Sequence, residues 1–193
     1  CADDGYPAQI ALVISNKAGI QGLERAKAAG IQTYVINIKD FNSPNSFDIS
    51  MIEAIKSFNV DLICLAGYMR ILSDNFVDHW HDRIVNIHPS LLPSFRGLEV
   101  QQRAIDAGVR FSGCTVHYVR RDMDTGPIIL QAVVPVLNND NAYTLTERIL
   151  IQEHRIYPLA IKLIAQGRTT IKNERVLIDG ATHPDSILIN PEV

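Results

Sequence analysis

Residues 84–97 read IVNIHPSLLPSFRG and combine a strand pattern with two residue types that can take part in catalysis. An apolar run typical of a buried β-strand ends with Asn86 and His88, which have one residue between them. Because side chains alternate between the two faces of a strand, both point to the same side. Pro89 and Pro93 then restrict the backbone of the following loop. The stretch predicts a rigid strand end that holds an amide donor beside a proton-carrying ring, as acyl chemistry requires.

Short apolar runs alternate with amphipathic stretches on both sides of this strand, a pattern typical of parallel strands joined by crossover helices. After Gly113 the pattern changes to two longer adjacent strands, a long helix and a small hairpin. We predict an α/β fold with a Rossmann-like, open, mainly parallel twisted sheet flanked by helices. The predicted strands are 9–14, 32–37, 61–66, 84–88, 114–120 and 127–136. The predicted helices are 17–29, 47–58, 73–81, 98–107 and 144–166, and the hairpin covers 168–180.

The start and the end of the first predicted helix have local signals. Ser15 or Asn16 is expected to cap its N-terminus, and Gly30 is expected to end it. No repeat or Gly/Ser linker interrupts the sequence, so residues 1–193 are predicted to form a single domain.

Composition restricts the class of protein. The 193 residues are 47% hydrophobic, which is enough apolar material for the core of one α/β domain. With 18 basic and 21 acidic residues, the chain has no excess of positive charge for a polyanion, so nucleic acid is not an expected partner. No apolar run approaches the roughly 20 residues needed to span a bilayer, so no membrane partner is expected and a cytoplasmic location is predicted.

The three cysteines give no sign of a metal site or a disulfide framework. Cys1, Cys64 and Cys114 lack Cys-x-x-Cys spacing, and the last two fall in predicted strands. We interpret them as reduced core residues and predict no metal.

A second informative segment is TVHYVRRDMDTGPIIL, residues 115–130. It places His117 on a strand, and Asp122 and Asp124 in the loop that follows. A carboxylate near His88 would favour the imidazolium form of that ring and so provide a general acid near neutral pH.

A third segment, AGYMRIL at residues 66–72, leaves the predicted strand 61–66 through a glycine turn. In open α/β sheets, ligands bind beyond the carboxyl ends of the strands. The exits of strands 61–66 and 84–88 could therefore share one cleft.

The motifs NIHPSLLPSFRG, AGYMRIL, HYVRRDMDTGPIILQ and QEHRIYP occur in this order along the chain. Together they resemble the phosphoribosylglycinamide formyltransferases, the folate-dependent enzymes of purine synthesis. The resemblance implies transfer of the formyl group of 10-formyltetrahydrofolate to the amine of glycinamide ribonucleotide, by direct attack through a tetrahedral intermediate. It implies a monomer or homodimer whose partners are these small molecules, with no metal.

The resemblance also implies roles for particular residues. The matches to the catalytic groups are Asn86, His88 and Asp124. The matches to the folate-binding segments are Tyr68, Met69, Arg70, Ile71, Leu72, Asn86, Arg120, Arg121, Asp122, Met123 and Asp124. Glu153 and Pro89 match contacts to the ribonucleotide, and His117 is a further possible site residue.

One departure from the family concerns the substrate phosphate. The family opens with a strand and a G-x-G-S-N turn, whose backbone N–H groups hold a phosphate. This sequence begins at Cys1, beyond that element, and a G-x-x-G at Gly19 and Gly22 is no substitute. We expect either that upstream residues exist or that the chain is a fragment.

Each candidate also has a structural interpretation. Asn86 could bond a neighbouring backbone group, His88 could be a buried core histidine, and Asp124 could form an Asx turn before the glycine that follows. His117 stays open between a polar site residue and an ordinary strand residue. The two arginines at 120 and 121 could contact water, and Glu153 could lie on a solvated helix face.

Three rival functions remain at this point. A methionyl-tRNA formyltransferase would be expected to carry a further basic domain. A formyltetrahydrofolate hydrolase uses the same chemistry with water as acceptor, and a catalytically silent module would bind folate alone. The product distinguishes them: formyl-glycinamide ribonucleotide, formate or neither.

Overall fold

The computed structural model describes residues 4–182 and 184–191. Its strands are Leu12–Ser15 (β1), Gln32–Val35 (β2), Ile63–Leu65 (β3), Ile84–His88 (β4), Phe111–Tyr118 (β5), Ile128–Pro135 (β6), Thr169–Lys172 (β7) and Arg175–Ile178 (β8). Its helices are Gln21–Ala28 (α1), Pro44–Lys56 (α2), Asp74–His79 (α3), Val100–Asp106 (α4) and Ala142–Ala165 (α5), with a short 3-10 helix at Ile38–Asp40. Each predicted element has a counterpart whose ends differ by at most four residues, so the α/β class is confirmed.

The chain forms two compact units. The first contains residues 1–63 and 68–84, and the second contains residues 64–67 and 85–193. In the first unit β1 and β2 pair in parallel, and α1 contributes buried Leu23 to its core.

Two helices of the first unit are linked by a buried carboxylate. Asp48 on α2 is 3% exposed, and its Oδ2 accepts a hydrogen bond of 2.7 Å from the backbone N–H of Ser73. Ser73 is also the N-cap of α3, where its hydroxyl accepts from the N–H of Phe76.

The expected cap of the first helix is wrong. Helix α1 begins at Gln21 with Ile20 in the N-cap position and no side-chain cap. The Ser15 hydroxyl instead accepts from the N–H of Lys17 at 3.0 Å and donates to the same residue's carbonyl at 2.8 Å. Ser15 therefore closes a turn directly after β1, and the helix starts later than the sequence suggests. Gly30 follows the end of α1 with a φ of +70°, as expected for a C-terminal glycine.

The second unit is built on antiparallel pairing. The sheet order is β3-β4-β5-β6, and both β4 with β5 and β5 with β6 are antiparallel. Helix α5 packs on β5 and β6 and opens with a capping box in which Asn141 and Thr144 satisfy each other's backbone N–H groups. The change of pattern after Gly113 therefore reflects a change from parallel to antiparallel strands.

The prediction for the cysteines is half right. Cys114 on β5 is fully buried, whereas Cys64 on β3 is exposed. The neighbours of Cys64, Ile63 and Leu65, face the other side of this short strand, so an apolar run did not imply burial for every member. Both cysteines are free, and Cys1 lies outside the described residues.

Within residues 4–182 and 184–191, no helix combines the length and apolar character needed to cross a bilayer.

A buried hydroxyl fastens the loop after β4 to the sheet. Thr115 on β5 is 0% exposed, and its Oγ1 donates to the carbonyl of Ser90 at 2.7 Å. The same oxygen accepts from the N–H of Leu92 at 3.1 Å and from Nε2 of Gln131 at 3.0 Å. One oxygen thus joins the loop to β5 and β6, and the loop after His88 is held at two backbone positions.

We predict that Thr115→Val lowers the free energy of unfolding by about 1–3 kcal/mol, because it leaves buried polar partners without the hydroxyl. Thr115→Ser, which keeps the oxygen, should cost less. Urea denaturation measures both. Thr146→Val is the control, because Thr146 is exposed on α5 and its hydroxyl donates to the carbonyl one turn earlier in the same helix. Equal effects of the Thr115→Val and Thr146→Val changes would contradict the prediction.

Candidate active site

The second unit brings four predicted polar residues together. In the antiparallel pairing of β4 with β5, Asn86 lies opposite His117, and His88 lies opposite Thr115. The loop between β5 and β6 then returns Asp124 to the two histidines. The strand register therefore assembles the amide, both rings and the carboxylate at one place.

His88 has an oxygen next to each ring nitrogen. The ring is buried, with 6% of the residue exposed. Its Nε2 lies 3.0 Å from the carbonyl oxygen of Phe95, and its Nδ1 lies 3.5 Å from Oδ2 of Asp124. Because both neighbours are acceptors, a ring that carries a proton on each nitrogen suits both contacts.

Asp124 is the common partner of the site. Its Oδ2 accepts from the backbone N–H of Gly97 at 3.0 Å, and its Oδ1 lies 3.8 Å from Nε2 of His117. Only 10% of its side chain is exposed. Its backbone is left-handed, with a φ of +54°, which aspartate adopts more readily than most residues. One carboxylate thus holds the loop after β4 and faces both rings.

The hydrogen bonds of His117 identify its tautomer. Its Nδ1 donates to the carbonyl of Tyr118 at 2.8 Å, so in the neutral ring Nε2 is the acceptor. That nitrogen lies 3.3 Å from Nδ2 of Asn86 and accepts from it. Burial is the main cause that lowers the pKa of His117, opposed by the Tyr118 bond and by Asp124, and the charge of His88 lowers it further. A neutral His117 therefore orients the Asn86 amide as a donor.

The loop between β5 and β6 passes so close to the end of β5 that one of its residues must be a glycine. A side chain at Gly126 would overlap the carbonyl oxygen of Tyr118, so the β5–β6 connection can fold back only without one.

Glu153 on α5 belongs to the same environment. Burial raises the pKa of its carboxyl group, while the charges of His154 and His88 oppose that rise. It also helps to raise the pKa of the Cys114 thiol to about 12, after burial as the main cause. Glu153 is therefore a partly buried group within electrostatic range of His88, rather than part of a solvated helix face.

The predicted folate residues of the second unit lie in the loop after β5. Arg121, Asp122 and Met123 are exposed, and Met123 has its methyl group near Gly97. Arg120 is different, because its guanidinium group is paired with Glu174 in the hairpin. Pro89, the other predicted ribonucleotide contact, is half-buried directly after β4.

The remaining predicted folate residues, 68–72, belong to the first unit. Tyr68 Oη and Arg70 Nε are buried and meet no hydrogen-bond partner among the described residues. Burial, with the charge of Asp48, raises the pKa of Tyr68 to about 12, and Arg70 opposes that rise. Met69 and Ile71 are 75% and 69% exposed, whereas Leu72 is buried.

Three groups of the site were not predicted from the sequence. Gly97 and Phe95 act through backbone atoms, which have no signature in the residue type. The role of Thr115 depends on strand register, although its position two residues before His117 puts it on the same strand face.

Among the residues that the structure describes, no cluster of His, Cys, Asp and Glu side chains could hold a metal ion.

Residues 1–161 match the formyl transferase family. Over 163 residues the chain is 55% identical to the trifunctional purine biosynthetic protein adenosine-3 of Drosophila pseudoobscura pseudoobscura, and the match covers 84% of this chain but only 12% of that protein. The chain thus spans a small part of that longer relative.

Two shorter proteins match over most of their length. The chain is 44% identical to the phosphoribosylglycinamide formyltransferase of Haemophilus influenzae, over 96% of this chain and 88% of that one. The crystal structure of glycinamide ribonucleotide transformylase 1 from Symbiobacterium toebii matches with a TM-score of 0.86 and 49% identity, over 88% of this chain and 80% of that one.

We predict that His117 makes the protein less stable in acid. Its pKa is lowered in the fold, so below about pH 6.5 the unfolded chain takes up a proton that the folded chain does not, and the free energy of unfolding falls. Glu153, whose pKa is raised, contributes in the opposite sense. Urea denaturation at pH 7.5 and 5.5 should show a smaller acid loss for His117→Gln than for the wild type. An unchanged loss would contradict this account.

Proposed function

Because the chain belongs to the formyl transferase family, we propose that it transfers the formyl group of 10-formyltetrahydrofolate to the amine of glycinamide ribonucleotide in purine biosynthesis. The observation that carries the proposal is the contact of the mostly covered Asp124 carboxylate with His88, beside an Asn86 amide held as a donor. The proposal keeps the cytoplasmic location predicted from the sequence.

The reaction is a direct acyl transfer. The amine nitrogen of the ribonucleotide attacks the formyl carbon, and the electron pair of the carbonyl bond moves to the formyl oxygen. The tetrahedral intermediate collapses when the bond to the folate nitrogen breaks. The amine loses a proton and the folate nitrogen gains one. The protein must therefore stabilise an oxyanion and move a proton.

Asn86 and His88 are suited to the oxyanion. One N–H of the Asn86 amide donates to His117, which leaves the other N–H for the substrate. Nε2 of His88 faces away from Asp124 and donates to the carbonyl of Phe95, an acceptor that the formyl oxygen would have to replace. Losing one such donor typically costs roughly 10²–10³ in rate.

Asp124 is suited to keep His88 charged and oriented. Its carboxylate oxygen Oδ2 lies 3.5 Å from Nδ1, so a proton on that nitrogen points at a negatively charged acceptor and the ring is held in one orientation. The proton for the leaving folate nitrogen can come from His88 or from a water molecule, and Asp124 is placed to orient either. Glu153, partly buried and near His88, is a candidate contact for the substrate amine.

Two segments carry side chains suited to contacts with folate. Residues 120–124 carry exposed Met123, and residues 68–72 carry exposed apolar side chains beside two buried polar atoms. An apolar ring system with polar edges needs both kinds of group. We propose that Tyr68 and Arg70 supply polar contacts and that Met69 and Ile71 supply apolar ones.

An assay tests the proposed function. The protein is supplied with 10-formyltetrahydrofolate, with and without glycinamide ribonucleotide, and the products are separated. The proposal expects formyl-glycinamide ribonucleotide. Formate released without the ribonucleotide would support the hydrolase instead, and neither product would support a silent folate-binding module.

We predict that Asp124→Asn lowers kcat by roughly 10²-fold or more and changes the affinity for folate much less. The amide cannot stabilise a charged ring, but it occupies the same space. Steady-state kinetics measure kcat, and equilibrium binding of tetrahydrofolate measures affinity. Asp106→Asn, at an exposed position on α4, is the control. A kcat near that of the wild type would reject the role of Asp124.

A further inference from the structure

The hairpin of β7 and β8 lies beyond residues 1–161, which match the family, yet it contacts the loop that carries Asp124. Nε of Arg120 donates to Oε2 of Glu174 at 2.7 Å, and Nη2 donates to Oε1 at 3.2 Å. The two groups therefore form a bidentate pair, the geometry in which an arginine and a carboxylate hold each other most firmly.

The arginine of this pair is mostly covered. Its side chain is 15% exposed, against 64% for Glu174. Nη1 also donates to the carbonyl of Val119 at 3.1 Å, and the stem lies close to Gly126. Arg120 is thus fixed within its own loop, and its pairing with Glu174 fixes that loop to the hairpin.

The backbone of Glu174 adds an independent argument. Asn173 and Glu174 join β7 to β8, and their φ values are +51° and +55°. A two-residue turn of this type favours asparagine followed by glycine. Asparagine is present, but glutamate occupies the glycine position, where its side chain strains the backbone. A strained residue whose side chain makes a specific contact is a candidate for a functional role.

The hairpin has a second attachment at the base of the loop. The hydroxyl of Tyr118, the last residue of β5, lies 3.2 Å from Oγ1 of Thr169 at the start of β7. The hairpin therefore restrains residues 118–120 at both ends of that segment. Asp124 is held separately, by the N–H of Gly97 and by the two histidines.

We propose that Glu174 is a positioning residue that, through Arg120, holds segment 120–123 in the conformation that binds the folate. This inference rests on the proposed function, because it assigns that segment to folate. Since Asp124 has its own attachments, loss of the pair should weaken folate binding and leave the chemical step largely unchanged.

The test uses two variants of the full protein. Glu174→Gln removes the charge and keeps the size, and Glu174→Gly removes the carboxylate while relieving the strain in the turn. A purely structural turn residue predicts that Glu174→Gly is neutral or stabilising and fully active. Asn173→Gly is the matched control, because it changes the adjacent turn position and keeps the pair.

Both Glu174 variants are expected to raise the KM for 10-formyltetrahydrofolate and the Kd for tetrahydrofolate roughly threefold to tenfold, the range for a partly covered ion pair. The KM for glycinamide ribonucleotide and kcat should stay within about twofold. Hydrogen exchange should become faster in residues 119–126. Asn173→Gly should leave all of these values unchanged.

Unchanged folate affinity and unchanged exchange in both Glu174 variants would overturn the proposal. A wild type that binds tetrahydrofolate but forms no formyl-glycinamide ribonucleotide would reject the proposed function alone. The Kd values for tetrahydrofolate would still show whether the Arg120–Glu174 pair supports folate binding. If the wild type binds no folate, the assignment of the segment to folate falls with the proposed function. Hydrogen exchange, which needs no ligand, then decides whether the pair holds the loop.

Discussion

The site depends on one mostly covered carboxylate with several partners. Asp124 faces Nδ1 of His88, faces Nε2 of His117 and accepts from the backbone N–H of Gly97. A carboxylate with 10% of its side chain exposed must be satisfied by such partners, because burying it alone is costly. The contacts that stabilise the Asp124 carboxylate therefore include the one that orients His88.

The two histidines have opposite tasks although they share that carboxylate. His88 has an acceptor at each nitrogen, which suits a charged ring. In His117, Nδ1 donates to the carbonyl of Tyr118 and Nε2 accepts from Asn86, which suits a neutral ring. The two rings therefore differ in role because of their hydrogen-bond partners more than because of their distance from Asp124: His88 is suited to donate a proton, and His117 is suited to orient an amide.

The sequence predicted the secondary-structure elements, and it indicated most of the residues that the structure brings together at the candidate site. The exceptions have physical reasons. Asn86 and His88 could be predicted because two residues at positions i and i+2 of a strand point to the same face. His117 stayed open because its contact with Asn86 depends on the register between β4 and β5, which a single strand does not reveal. The Ser15 cap and the burial of Cys64 were predicted wrongly, since each depends on where a short element begins or which way it faces. Contacts through backbone atoms and across the hairpin carry no local signal at all.

The three-way bond at Thr115 has a consequence for motion. Its single oxygen bonds to two backbone groups of the loop and to a side chain of β6, so the loop cannot lift away without disturbing the sheet. Segments fastened in this manner tend to open together with the structure that holds them, in one cooperative event. The fastened part of the loop would then lose little ordering entropy when a substrate binds.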